Sequence, residues 1–133
     1  MFRNLFRKFI KFHGFTICCG IAILVLCVIR IPQQWEIPQF QFPYFDKIVH
    51  FTMYFTLSIA FILEALVISP GHEKATLKPY LTAFILSAIF GGLIEIIQST
   101  FAYRSSDIMD WLADMGGALI GCLIIGLLRH AFR

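Results

Sequence analysis

Four stretches of mostly apolar residues, 14–31, 48–68, 79–99 and 107–128, take up nearly the whole chain and leave no room for a soluble domain. An apolar helix needs about 20 residues to cross the hydrocarbon of a bilayer, and each stretch meets or approaches that length. With 59% hydrophobic and only 14% charged residues, and a mean hydropathy of +0.79, the chain is too apolar for an ordinary soluble domain. The expected fold is all-α: a polytopic membrane four-helix bundle formed by residues 1–133 as a single domain.

Charge placement predicts the topology. Arg3, Arg7, Lys8 and Lys11 precede the first segment, Lys74 and Lys78 separate the second from the third, and Arg129 and Arg133 follow the fourth. Only Arg30, Lys47 and Arg104 fall on the other side, so the positive-inside bias puts both termini in the cytoplasm. The basic start resembles a secretory signal, but no small-residue cleavage site follows, and the first segment is expected to be retained. The net charge of +3 lies at segment ends and forms no basic face, which argues against a nucleic acid partner. Cys18, Cys19, Cys27 and Cys122 sit inside apolar segments without metal-type spacing and read as packing residues. Between the first two segments, Pro32, Pro38 and Pro43 argue against helix and Trp35, Phe40 and Phe42 suit a lipid interface; a lid and a plain connector both fit.

Against this apolar background stands a ladder of polar residues at near-threefold spacing: Glu95, Gln98, Arg104, Asp107, Asp110 and Asp114, continued by Gly117 and Gly121. An ionisable side chain at membrane depth costs roughly 2.5–3.5 kcal/mol on insertion scales, so such residues mark sites or pathways. Asp46, His50 and Tyr54 are four residues apart and share a face at the start of the second segment, next to Lys47. Gly91, Gly92, Gly117 and Gly121 supply small surfaces for close helix contact. The topology brings the outer ends of segments two, three and four together. Five carboxylates then meet Lys47, Arg104 and one imidazole, a balance suited to a proton, a cation or a cationic ligand group.

Plainer roles compete at each position. Asp107 and Asp46 suit helix capping, His50 an interior hydrogen bond, Arg104 a reach to lipid phosphate, and Glu95 and Asp114 interhelical pairing. No nucleophile motif is present; His50, Glu95 and Asp110 are the catalytic candidates if the site does chemistry. The residues identify no cofactor, although the acidic cluster offers oxygen ligands to a divalent cation.

The motifs D-K-x-x-H-F-x-x-Y-F-x-L from Asp46 to Leu57 and E-x-x-Q-x-x-F-x-x-R-x-x-D-x-x-D-x-x-x-D-x-x-G-x-x-x-G from Glu95 to Gly121 resemble the VanZ-like family of bacterial membrane proteins. The resemblance implies a multi-pass protein of the bacterial cytoplasmic membrane, in a family whose namesake confers teicoplanin resistance. It also implies a ligand-binding set of Asp46, Lys47, His50, Tyr54, Glu95, Gln98, Arg104, Asp107 and Asp110. Where the family usually has Asn, this chain has Asp114, and Tyr103 stands where Pro or Gly is common; the added acid makes the pocket more negative. Membrane lipids and a lipid-linked envelope precursor or glycopeptide are the implied partners. An intramembrane enzyme acting on a lipid head group and a proton- or ion-coupled transporter are the competing readings, and the oligomeric state stays open.

Overall fold

The computed structural model describes residues 13–29, 44–68, 77–101 and 107–132. They form four α-helices: α1 (Gly14–Val28), α2 (Phe45–Ile68), α3 (Lys78–Phe101) and α4 (Ile108–Ala131), with no strand among the described residues. The loop carrying Arg104 and the connection expected as a lid or connector, apart from its last residues, lie outside the described residues.

Three helices are long and apolar enough to cross a membrane, namely α2, α3 and α4. At 1.5 Å per residue each of these reaches about 36 Å, enough for a hydrocarbon core of about 30 Å. The expected first span, 14–31, is described as a 15-residue helix, Gly14–Val28. That is only about 22 Å, so α1 falls short of a full crossing by its own length. α2 begins three residues earlier than its apolar run suggested, because Asp46 and Lys47 belong to its first turn.

The pattern of burial inverts that of a soluble bundle. The exposed large side chains are apolar, among them Leu81, Ile85, Ile89 and Ile96 on α3 and Leu119, Leu123 and Leu127 on α4, whereas His50, Ser58, Ser87, Glu95, Gln98, Asp110 and Asp114 are buried. Lipid is a good solvent for the first group and a poor one for the second, so polar groups turn inward and find one another. The stripes follow helical periodicity: 50, 54, 57, 58 and 62 on α2, and 110, 114, 117, 118, 121 and 122 on α4. Pro79 falls in the first turn of α3, where an N–H is not needed. Tyr44, just before α2, adopts φ 77°, the left-handed region that non-glycine residues rarely occupy.

α2 and α4 share the most extensive contact, and glycine explains it. A Cβ on Gly117 would overlap the Phe51 carbonyl oxygen and lie 2.9 Å from its carbonyl carbon, and one on Gly121 would meet the Phe55 carbonyl oxygen at 2.9 Å as well as Ser58 Oγ. The two backbones touch directly, the kind of approach small residues permit in lipid. α3 joins α4 through Trp111, whose indole Nε1 donates to the Ala88 carbonyl at 2.9 Å beside Gly92.

α1 packs on α2 and α3, where Ile23 and Cys27 meet Tyr54, Leu57 and Ile94. His13 at its N-cap makes no side-chain cap, and neighbouring helices satisfy its termini instead. At its start Glu64 of α2 accepts from the backbone N–H of Phe15 (2.9 Å) and of Thr16 (3.2 Å) and from the Thr16 hydroxyl (2.6 Å). At its end Gln98 of α3 donates its Nε2 to the Cys27 carbonyl at 3.1 Å. The first N–H groups and last C=O groups of a helix lack partners within it, and here two of those N–H groups and one of those carbonyls are met by side chains from other helices.

Candidate functional site

The amino end of α2, the carboxyl end of α3 and the amino end of α4 come together and carry the polar cluster. Asp107 is the N-cap of α4: its Oδ1 accepts from the Met109 N–H at 2.9 Å, as the capping reading expects. Its Oδ2 also accepts from Lys47 Nζ at 2.6 Å, and its backbone N–H donates to Glu95 Oε2 at 3.1 Å. A Glu within the same helix often closes the N-cap N–H; here that part is played by a Glu from the preceding helix. One residue thus joins three helices.

Lys47 reaches across from α2 and donates to Asp110 Oδ1 at 2.9 Å as well as to Asp107. One turn deeper on each helix, His50 Nδ1 and Asp114 Oδ1 stand 2.9 Å apart, with side chains 2% and 0% exposed. Asp46, His50 and Asp110 each present one potential ligand atom, all within 4.8 Å of one another. Exposure of the side chains falls with depth. Asp107 is 43% exposed and Lys47 27% at the mouth, Asp110 is 6% exposed below them, and His50, Asp114 and Tyr54 are sealed at the bottom.

Three buried polar atoms in this region have no hydrogen-bond partner among the described residues: Tyr54 Oη, Glu95 Oε1 and Asp114 Oδ2. Glu95 is an electrostatic neighbour of Asp110, His50 and Asp114, and Tyr54 of Asp114 and Glu95. Leaving one buried polar group unpaired costs about 1–3 kcal/mol, more when it is charged. Gly91 makes room for one of these atoms, since a Cβ there would lie 2.7 Å from Asp114 Oδ2.

The structure therefore brings Asp46, Lys47, His50, Tyr54, Glu95, Asp107, Asp110 and Asp114 to one end of the bundle. Gln98 stands apart: its amide turns to α1 and caps that helix. Arg104 lies outside the described residues. Below Asp114, Gly117 and Gly121 press α4 against α2. Glu64 and His13 lie outside the polar ladder. At the opposite end of the bundle, Glu64 holds the start of α1, with His13 Nδ1 3.6 Å from its Oε2 and the His13 ring stacked on Phe61. The available signal was position, for Glu64 lies 14 residues, close to four whole turns, beyond His50 on the buried face of α2.

No solved structure matches the chain. A curated relative, uncharacterized protein C11E3.10 of Schizosaccharomyces pombe, is 30% identical over 114 residues, which cover 85% of this chain. The match spans 65% of the relative's own length. A fission yeast relative also means that resemblance to bacterial proteins does not by itself assign a bacterial source. The model of the family described as VanZ/LLP1 matches residues 19–129, a range that takes in most of α1, all of α2 and α3, and every described residue of the polar cluster. The chain is a membrane protein of the VanZ/LLP1 family.

Proposed function

We propose that this chain is a bacterial cytoplasmic-membrane protein whose polar cluster faces outward and engages a lipid-linked or glycopeptide-like ligand of the cell envelope, contributing to teicoplanin resistance. The observation that carries the reading is the gathering of Lys47, His50, Glu95, Asp107, Asp110 and Asp114 at one end of the bundle, with Lys47 and Asp107 partly exposed and His50 and Asp114 buried beneath them. The positive-inside bias of the sequence supports an outward mouth and cytoplasmic termini. The surplus of carboxylates suits a cationic or strongly hydrogen-bonding group of the ligand. Binding is favoured over transport because the glycine contact below Asp114 closes α2 against α4.

The His50–Asp114 pair favours a second reading, an intramembrane enzyme acting on a lipid head group. A carboxylate that orients an imidazole is a recurrent support for a general base. The two readings separate in a membrane assay of lipid head-group turnover.

The test of the leading reading is teicoplanin susceptibility in a sensitive bacterial host expressing the full chain. Wild type is expected to raise the inhibitory concentration, and Glu95→Gln and Asp110→Asn to abolish that rise at equal membrane abundance. Protection by both variants equal to wild type would overturn it, as would a wild type that confers none.

A further inference from the structure

We propose that Asp46, His50 and Asp110 bind a divalent transition-metal ion of the Zn²⁺ or Mn²⁺ type between α2 and α4. Asp46 and His50 lie one turn apart on α2, and Asp110 faces them from α4, so that one imidazole and two carboxylates bring donor atoms within 4.8 Å of one another. Ligand atoms around a tetrahedral ion at 2.0–2.2 Å stand roughly 3.5 Å apart, a spacing these side chains reach by small torsional changes. A mixed set of imidazole and carboxylate suits Zn²⁺ and Mn²⁺ better than Mg²⁺ or Ca²⁺, which prefer oxygen alone, or Cu⁺, which prefers sulfur.

Two further observations point to the ion. Asp114 is fully buried, and its Oδ1 stands 2.9 Å from His50 Nδ1. With the carboxylate ionised, the shared proton sits on Nδ1 and the lone pair of the imidazole on Nε2. Metal-binding histidines are held in this way, by a carboxylate on the nitrogen that does not bind the metal. The second observation is excess negative charge. Glu95 is 7% exposed and Asp114 0%, both are electrostatic neighbours of His50 and Asp110, and each keeps one buried carboxylate oxygen without a hydrogen-bond partner among the described residues, that of Asp114 facing Gly91. Lys47 bonds Asp110 through Oδ1 and Asp107 through Oδ2, one cation among these carboxylates. A divalent ion supplies the countercharge that buried carboxylates require. Three protein ligands also leave a coordination position for water or for an anionic oxygen of a ligand. The metal site does not depend on the glycopeptide reading, and either stands if the other fails.

The test uses the full chain purified in detergent, stripped with a chelator, dialysed against micromolar Zn²⁺ or Mn²⁺, and measured by elemental mass spectrometry and calorimetry. Wild type is expected to retain one equivalent per chain, and Asp46→Asn, His50→Gln and Asp110→Asn to fall to background. Asp114→Asn is expected to keep the stoichiometry with affinity lowered about ten- to hundredfold. His130→Gln, an exposed residue of α4 outside the site, is expected to bind as wild type does. Less than a tenth of an equivalent on wild type would overturn the site regardless of how the variants fold. So would a full equivalent retained by all three ligand variants. Visible absorption of the Co²⁺-loaded wild type gives a second readout: a tetrahedral or five-coordinate spectrum supports the site, and the spectrum of hydrated Co²⁺ contradicts it.

Discussion

Gly117→Ala is the most revealing single change, because the structure assigns it a cost opposite in sign to what the same substitution brings elsewhere. Its new Cβ would overlap the Phe51 carbonyl oxygen and lie 2.9 Å from the carbonyl carbon and 3.0 Å from Phe55 N, whereas ordinary contact begins at 3.4 Å. All three atoms are backbone and no side chain can yield, so α4 must back away from α2 by about an ångström. A gap of 0.5–1 Å forfeits about a quarter to a half of the dispersion energy across the contact it opens, and overpacking costs about 1–3 kcal/mol in well-packed interiors. Gly126 is the internal control. A Cβ there meets only Tyr80 Cε1 at 3.8 Å, so Gly126→Ala is expected to gain up to about 1 kcal/mol of helix propensity. The assay is reversible unfolding in mixed detergent micelles followed by circular dichroism. Gly117→Ala is expected to lose about 1–3 kcal/mol and Gly126→Ala to be neutral or stabilising. Equal stability of the two would refute the direct backbone contact of α2 with α4.

Two further predictions concern the ends of α1. Glu64→Ala removes the acceptor for the Phe15 and Thr16 N–H groups, with an expected cost of about 0.5–2 kcal/mol and faster amide hydrogen exchange at both positions; unchanged exchange would contradict the cap. Gln98→Leu strips the donor from the Cys27 carbonyl, with an expected cost of about 1–3 kcal/mol and a shifted Cys27 carbonyl carbon resonance, while the Lys47 ion pairs persist.

Much of this arrangement was legible in the chain because helical periodicity is rigid. Once residues 46, 50 and 54 and residues 107, 110 and 114 are placed on helices, each trio must share a face, and lipid drives such a face inward. The glycines were legible for the same reason, although which partner each meets was not: Gly91 and Gly92 face Asp114 and Trp111 on α4, while Gly117 and Gly121 face the backbone of α2. Gln98 marks where periodicity stops informing. It lies one turn from Glu95, yet a rotation of about 60° between two residues three apart directs Glu95 to the start of α4 and Gln98 to the end of α1. Spacing places a residue on its own helix and leaves the identity of the facing neighbour to tertiary packing. For Glu64, periodicity places the residue on the face of α2 that carries His50, while its partners, backbone N–H groups of α1, are displayed by no residue pattern.

The central claim is that buried acids and their countercharges meet across helices at one end of the bundle. Solid-state NMR on the selectively labelled chain in lipid bilayers tests it most directly, through nitrogen–carbon correlations between side chains. Cross-peaks from Lys47 Nζ to the carboxyl carbons of Asp107 and Asp110, and from His50 Nδ1 to that of Asp114, are the predicted result. Side-chain nitrogens of Lys47 and His50 that correlate with none of those three carboxyls would contradict the account.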